Sequence, residues 1–292
     1  REDGYQAFYV AIGCQDGKVP PIPGSDAEDI EIAVDFLHRA TEDQTQKMSG
    51  NVVVIGGGNV AVDCARTAAR FGGEHVAMYC LEDRGTMPAS ADEIRETLEE
   101  EIAIENSWGP KEIQKDADGK VKAVVFQKCI SVKDASGKFN PQYDENDTIT
   151  VACDHLIFAV GQGIKWGDLL EGTKVEFWHG NYPVADPLTY QTAEPDIFVG
   201  GDVYTGPKFV IDAIEAGKCA AESLHRYVHT GASMTIGRNR RDFHELNKDD
   251  IMLNGYDTIG RQEAAETEKE DKKHSFRDLR GMLTEEQVHL EA

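Results

Sequence analysis

The sequence predicts an α/β protein built on a parallel, doubly wound sheet. Three observations carry that expectation. Strands rich in β-branched residues alternate with amphipathic helices, and one strand passes through a glycine turn straight into a helix. Apolar residues make up 40% of the chain and it holds 28 glycines, which fits a globular protein with many tight turns. At 292 residues it is long enough for two cored domains, or for one domain interrupted by another.

The first strand is expected over residues 7–12, followed by the Gly/Pro-rich loop "GCQDGKVPPIPG". The opening "REDGYQ" has no Met and no capping signal, so the sequence is expected to be part of a longer polypeptide. Ile30, Val34 and Leu37 recur on one face and predict a helix over residues 27–40. After a polar link, "NVVVIGGGNVAVDCARTAARFGG" reads as strand, glycine turn, helix and Gly-Gly stop. A strand over 75–81 and an acidic helix over 92–101 follow. Residues 111–136 read as short strands around polar turns, and "DENDTITVACDHLIFAVGQG" as a strand pair ending in glycines. "PDIFVGGDVYTGPKFVIDAIEAGKCAAESLHRYVH" reads as strand, glycine turn and long helix. Beyond residue 230 the chain turns polar, 262–273 has the composition of a disordered link, and "TEEQVHLEA" opens a last helix.

A formal net charge of −23 argues against a nucleic-acid surface and against docking on anionic lipid. The apolar runs are far too short to span a bilayer and no signal peptide is visible, so no membrane insertion and a cytoplasmic location are expected. The six cysteines show no CxxC and no metal-ligand spacing and read as buried thiols. With no Ser-His-Asp arrangement, metal motif or redox dithiol, no side chain is assigned as catalytic and none as a metal ligand.

"VIGGGNVA" gives Gly56-x-Gly58-x-x-Ala61 between a strand and a helix. Gly56 suits a tight turn, Gly58 a close approach of backbone to a pyrophosphate, and Ala61 close helix–strand packing. The phosphates would lie on the helix N-terminus formed by Gly57, Gly58, Asn59 and Val60. Glu82 follows Ala61 by 21 residues and ends the next strand, where an acid hydrogen-bonds the adenosine ribose of NAD and repels a 2′-phosphate. Two alternatives stay open at this point. Glu82 could be one more solvated acid, and Arg84, two residues on, could reach the phosphate of NADP.

A second glycine turn, Gly200-Gly201-Asp202, leads to a helix beginning near Phe209. Asp202 can accept from a hydroxyl of a dinucleotide linker, and the helix N-terminus around Lys208, Phe209 and Val210 favours the electron-rich end of a reduced flavin.

"GGD…A…AG…AA" in this stretch resembles the flavin-binding signature of the pyridine nucleotide–disulfide oxidoreductase superfamily. Within it the chain is similar to the glutamate synthase small subunit and its relatives over about residues 4–229. "FYVAIGCQ" and "LIFAVGQG" resemble the two strands where flavin and nicotinamide domains cross over, which implies cofactor contacts at Ala11, Gly13, Ala159 and Gly161. "IPGSDAEDIEIAVDFL", "RGTMPAS" and "YQTAEPDIFVGGD" match further family segments in order. The resemblance implies a Rossmann-like NAD(P)-binding domain at 46–157, inserted into a partial FAD-binding domain of the glutathione reductase type at 1–45 and 158–229. An extension at 230–292 is implied to wrap back on the flavin domain. It implies FAD with NAD, NADP being less favoured, and hydride transfer from NADH to FAD. Electrons would then pass to iron–sulfur clusters on missing segments or partner subunits of a larger redox complex. Two departures qualify it. The flavin's own GxGxxG is expected upstream of Arg1, and Leu81-Glu82 stand where NADPH-using relatives carry an arginine pair. The alternatives are an NADPH-dependent glutamate synthase small subunit and a non-catalytic nucleotide-binding scaffold subunit.

Overall fold

The computed structural model describes residues 1–179, 181–229, 231–238, 244, 247, 260–277 and 280–291. Its strands are β1 (Phe8–Val10), β2 (Asp16–Gly17), β3 (Ile30–Ile32), β4 (Asn51–Ile55), β5 (His75–Cys80), β6 (Ala103–Asn106) and β7 (Trp108–Lys115). They continue with β8 (Val121–Lys133), β9 (Phe139–Ala152), β10 (His155–Phe158), β11 (Gln162–Gly163), β12 (Phe177–Trp178), β13 (Tyr182–Pro183) and β14 (Ile197–Val199). The helices are α1 (Ala33–Glu42), α2 (Asn59–Arg70), α3 (Ala91–Glu99), α4 (Asp202–Thr205), α5 (Val210–Val228), α6 (Lys269–His274) and α7 (Glu285–Glu291).

Two compact units result. One comprises Arg1–Asp16 and the described residues of Gln162–Thr258, the other Gly17–Gly161 and the described residues of Ile259–Ala292.

The larger unit is built on a five-stranded parallel sheet in the order β3-β10-β4-β5-β6. β4 is apolar at four successive positions because both of its faces are covered. Val52, Val54, Met78 and Ile157 point into a core with Phe36 of α1, Ala65 of α2 and Phe71. Val53, Ile55, Tyr79, Leu156 and Phe158 point the opposite way, into a second core with Val124 and Phe126. Those last two belong to the antiparallel sheet β7-β8-β9. Tyr79 stacks on Phe126 with ring centroids 4.2 Å apart. Period-two alternation along the strands therefore produces three layers: helices, parallel sheet and antiparallel sheet.

The smaller unit pairs β1 with β14 in parallel, Phe8 opposite Ile197. Val10, Cys14, Ile164, Leu170, Ile197, Val199 and Val203 form its core. α5 lies against both strands and turns Ala216, Ala220 and Ser223 inward. Small residues there allow close helix–sheet approach, and Tyr227 meets Phe198 edge to face at 5.8 Å.

Four expectations are corrected. The helix expected over 27–40 begins only at Ala33, because Ile30–Ile32 is a strand paired with β10. Ile30 and Ile32 flank Glu31 with a period of two, a signal masked by the helical spacing of Ile30, Val34 and Leu37. The short strands expected over 111–136 are the end of β7 and the whole of β8, two hairpin arms of 8 and 13 residues. Part of the stretch expected to be disordered, 262–273, packs as α6 against α2. Lys272 is 2% exposed and pairs with Glu99 at 3.3 Å and Glu266 at 2.8 Å. Phe276 caps this contact at 5.6 Å from Phe71. The described part of 260–291 thus groups with the parallel sheet and not with the flavin-like segments. Ion pairs to α3 and one aromatic anchor outweigh its polar composition.

Among the described residues no helix is long and apolar enough to cross a membrane, and no group of three His, Cys, Asp or Glu is arranged to hold a metal ion.

Candidate functional site

Strand order selects the site in the larger unit. β4 lies between β10 and β5, so the chain leaves it toward one neighbour and returns on its other side. In open α/β sheets a crevice forms beyond the carboxyl ends of the strands at such a switch point. Gly56–Gly58 fill this position.

Each glycine is constrained differently. Gly56 has φ +151°, and a Cβ there would lie 2.5 Å from the Ala159 carbonyl oxygen. Its N–H donates to the Tyr79 carbonyl at 2.9 Å, while the Ala159 N–H donates to Ile55 at 2.8 Å. A Cβ on Gly57 would meet Glu82 Oε2 at 2.9 Å, Cys80 Cβ at 3.0 Å and Pro88 Cδ at 3.4 Å. Gly58 is the N-cap of α2, and a Cβ there would face open space. The leading N–H groups of α2 have no intrahelical acceptor and carry the positive dipole end, so this space suits an anion. A pyrophosphate fits the turn.

The loop 86–90 closes over it. Ala89 donates its N–H to the Gly57 carbonyl at 3.0 Å, and Ser90 donates to Asn59 Oδ1 at 2.9 Å. Asn59 therefore holds this loop through its side chain. Val60 packs against the helix-side core. Glu82 is half-buried with its carboxylate over Gly57. Arg84 is exposed on a turn where Asp83 Oδ1 accepts from the N–H groups of Gly85 and Thr86. The fold so brings Gly56, Gly57, Glu82 and Ala159 into one cradle, with Gly58, Asn59 and Val60 on its helical wall. Gly161 lies beyond β10 at φ +100° with open space around it.

The smaller unit carries the other predicted residues. A Cβ on Gly200 would lie 2.2 Å from Tyr9 Oη, so the ring would have to move aside, and Gly201 is required by its φ of +67°. Asp202 Oδ1 accepts the Lys208 N–H at 3.3 Å, and Cys14 Sγ donates to the Asp202 carbonyl at 3.3 Å. Asp212 Oδ2 accepts the Phe209 N–H at 3.3 Å, fixing the entry to α5. Phe209 and Val210 are 75% and 76% exposed, and Lys208 is exposed beside them. An acidic acceptor followed by an apolar helix start is a surface that fits a fused aromatic ring with a polar tail. Ala11 lines a cleft of about 790 Å³ along β1, with Phe8, Val10, Leu170 and Ile197. Gly13 sits just after this strand at φ +73°.

The thiols are poorly suited to redox exchange. All six cysteines are free. Burial, first among the causes, pushes Cys80 up to about 11 and Cys153 up to about 12, and raises the remaining four. A thiol this protonated at neutral pH is a weak nucleophile.

Sequence reasoning missed two contributors: Tyr9 against Gly200 and the loop 86–90 as a clamp. The Met-Pro turn of "RGTMPAS" pointed to the loop.

A glycine turn ending in an acid on a parallel sheet, together with a second glycine turn and helix, defines a two-domain dinucleotide-binding α/β protein. The profile of the pyridine nucleotide-disulphide oxidoreductases matches residues 1–217, and the chain belongs to that family. It is 30% identical over 236 residues to the NADP(+)-dependent formate dehydrogenase subunit beta of Moorella thermoacetica, spanning 78% of this chain and 32% of that protein. It is 30% identical over 229 residues to the NAD-dependent dihydropyrimidine dehydrogenase subunit PreT of Escherichia coli O157:H7 (78% and 49%). Identity to the glutamate synthase (NADPH) small chain of Escherichia coli K12 is 28% over 242 residues (77% and 51%). The chain thus spans a third to a half of the length of these relatives. Mycobacterium tuberculosis FprA in complex with NADPH shares the fold at a TM-score of 0.59 and 18% identity, covering 77% of this chain and 64% of that one. The thioredoxin reductase of T. acidophilum does so at 0.58 and 18%, covering 75% and 64%.

Proposed function

We propose that the chain is the nicotinamide- and flavin-binding part of an NADH-dependent flavoprotein oxidoreductase, passing electrons to an iron–sulfur partner within a larger complex. In this reading the Gly17–Gly161 unit holds NADH, and the unit containing Gly200–Val210 takes part in holding FAD. When bound, the pair supplies hydride transfer from nicotinamide to flavin, chemistry that belongs to the cofactors. The protein's own task is orientation. Gly58 and the start of α2 would receive the pyrophosphate, and Glu82 would accept from the adenosine ribose hydroxyls. Asp202 would accept from the flavin's linker, and Lys208, Phe209 and Val210 at the start of α5 would help hold its ring. The names of the relatives, subunits of formate, dihydropyrimidine and glutamate-forming redox enzymes, support a role inside a complex.

The single observation that carries the NADH assignment is the Glu82 carboxylate over Gly57. A carboxylate there binds a free 2′-OH and repels a 2′-phosphate. Rapid-mixing reduction of the flavin in the intact complex tests it: kcat/KM for NADH should exceed that for NADPH by about tenfold or more. Equal or reversed values overturn the assignment. A second reading, NADPH as donor, is favoured by Arg84 two residues on and by the NADP(H) in two relatives' names. Glu82→Arg separates them, since it should shift preference toward NADPH only if Glu82 is the discriminating group.

A further inference from the structure

We infer that Asn106, acting with the backbone of Ser107, is a positioning residue that sets nucleotide choice by fixing Glu82. The inference rests on the reading of Glu82 as the ribose-binding acid and extends it to a residue that itself touches no nucleotide.

The acid's placement needs an explanation, because Glu82 lies beyond the end of β5, where no strand pairing holds it. The neighbouring strand supplies the restraint. β5 and β6 run in register with Cys80 opposite Asn106 at their carboxyl ends. From there Asn106 Nδ2 reaches the Glu82 carbonyl at 3.2 Å, Cys80 Sγ at 3.2 Å and Met87 Sδ at 3.7 Å. A carbonyl and a thioether only accept hydrogen bonds, so the side of the amide turned toward them is the NH2. One amide thus joins the end of β5, the acid and the Met-Pro loop whose Pro88 packs on Gly57.

The next residue reinforces it. Ser107 has φ +64°, a left-handed conformation that a non-glycine residue holds only under constraint from its surroundings. In that conformation its N–H donates to the same Glu82 carbonyl at 3.0 Å. Two nitrogen donors therefore converge on one carbonyl oxygen, and the thiol of Cys80 lies 3.6 Å from it. Ser107 is anchored in turn, its carbonyl accepting the Cys129 N–H of β8 at 2.8 Å. The backbone of Glu82 is pinned from the three-layer core outward, leaving only its side chain to be directed over Gly57. A carboxylate that must accept from ribose hydroxyls, and exclude a phosphate, works only if held to within a fraction of an ångström.

The test measures direct binding of NADH and NADPH to the full chain by nucleotide-fluorescence titration, taking the ratio of the two dissociation constants as the readout. Glu82→Ala should lower the preference for NADH by about tenfold, and Asn106→Ala by about fivefold, mainly through weaker NADH binding. The double variant should show no less preference than Glu82→Ala alone, because Asn106 acts through Glu82. If Asn106→Ala weakens both nucleotides equally while Glu82→Ala still lowers the ratio, Asn106 is merely structural and the inference is overturned with the Glu82 reading intact. If Glu82→Ala leaves the ratio unchanged, that reading falls and the inference with it. Should Asn106→Ala not fold, Asn106→Asp keeps the shape, removes the NH2 and carries the same comparison.

Discussion

The two glycine turns of this protein answer the same demand in opposite ways. At Gly56–Gly58 the surroundings are already assembled: Ala159 presses on Gly56, Glu82, Cys80 and Pro88 press on Gly57, and the loop 86–90 is bonded to Gly57 and Asn59. At Gly200–Asp202 only the inner side is packed, against Tyr9, while the outer side ends in exposed Phe209, Val210 and Ile211. The first turn is a finished cradle that leaves one opening, at Gly58. The second presents apolar surface of the kind that marks a ligand or partner site. Under the proposed function, one unit would meet its cofactor through precise backbone room and the other through an uncovered face.

The sharpest way to break this comparison is within the first turn. Gly56→Ala places a methyl 2.5 Å from a backbone carbonyl and should cost about 3 kcal/mol or more, read by chemical denaturation. Gly58→Ala meets nothing and should leave the denaturation midpoint nearly unchanged, yet weaken NADH binding about tenfold. Should both variants lose stability alike, the claim of one packed and one open glycine fails.

A smaller effect is expected at the second turn. Phe209→Ser with Val210→Ser removes side chains that are three-quarters exposed, so stability should change by less than about 1 kcal/mol. Flavin retention during gel filtration of the intact complex should nevertheless fall. Loss of stability with unchanged flavin content would move these residues from the ligand face to the core.

The smallest effect concerns the tail that braces α2. Hydrogen bonds from Lys272 and then Arg95 lower Glu266 to about 2 from the usual 4.5. A carboxylate depressed in the folded state contributes stability that is present above its unfolded value and lost as pH falls toward the folded one. The protection of the α6 amides relative to their intrinsic exchange rate at each pH should therefore hold steady from neutral pH down to 4.5 and fall between 4.5 and about 2. In Glu266→Gln that pH dependence should be flattened; an unaltered profile would remove Glu266 from the brace.

Much of the layout could be read in one dimension. The run Asn51–Ile55, the glycine turn and α2 follow from β-branched residues, small residues at fixed offsets and an apolar helical stripe. The same logic failed at Ile30–Ile32, where two periods overlap, and at α6, where composition alone suggested disorder. In both places the deciding partner is distant in sequence: Leu156 for Ile30, Glu99 for Lys272.

The α/β class, the two glycine turns and the acid at the end of β5 can be read in one dimension, because each is a local pattern enforced by backbone sterics and helix or strand period. The place of Glu82 over Gly57, its restraint by Asn106 and Ser107, and the Ala159 carbonyl that forbids a side chain at Gly56 come from the fold. Those relations join residues 24 to 103 positions apart, and only the register of parallel strands brings them within contact distance.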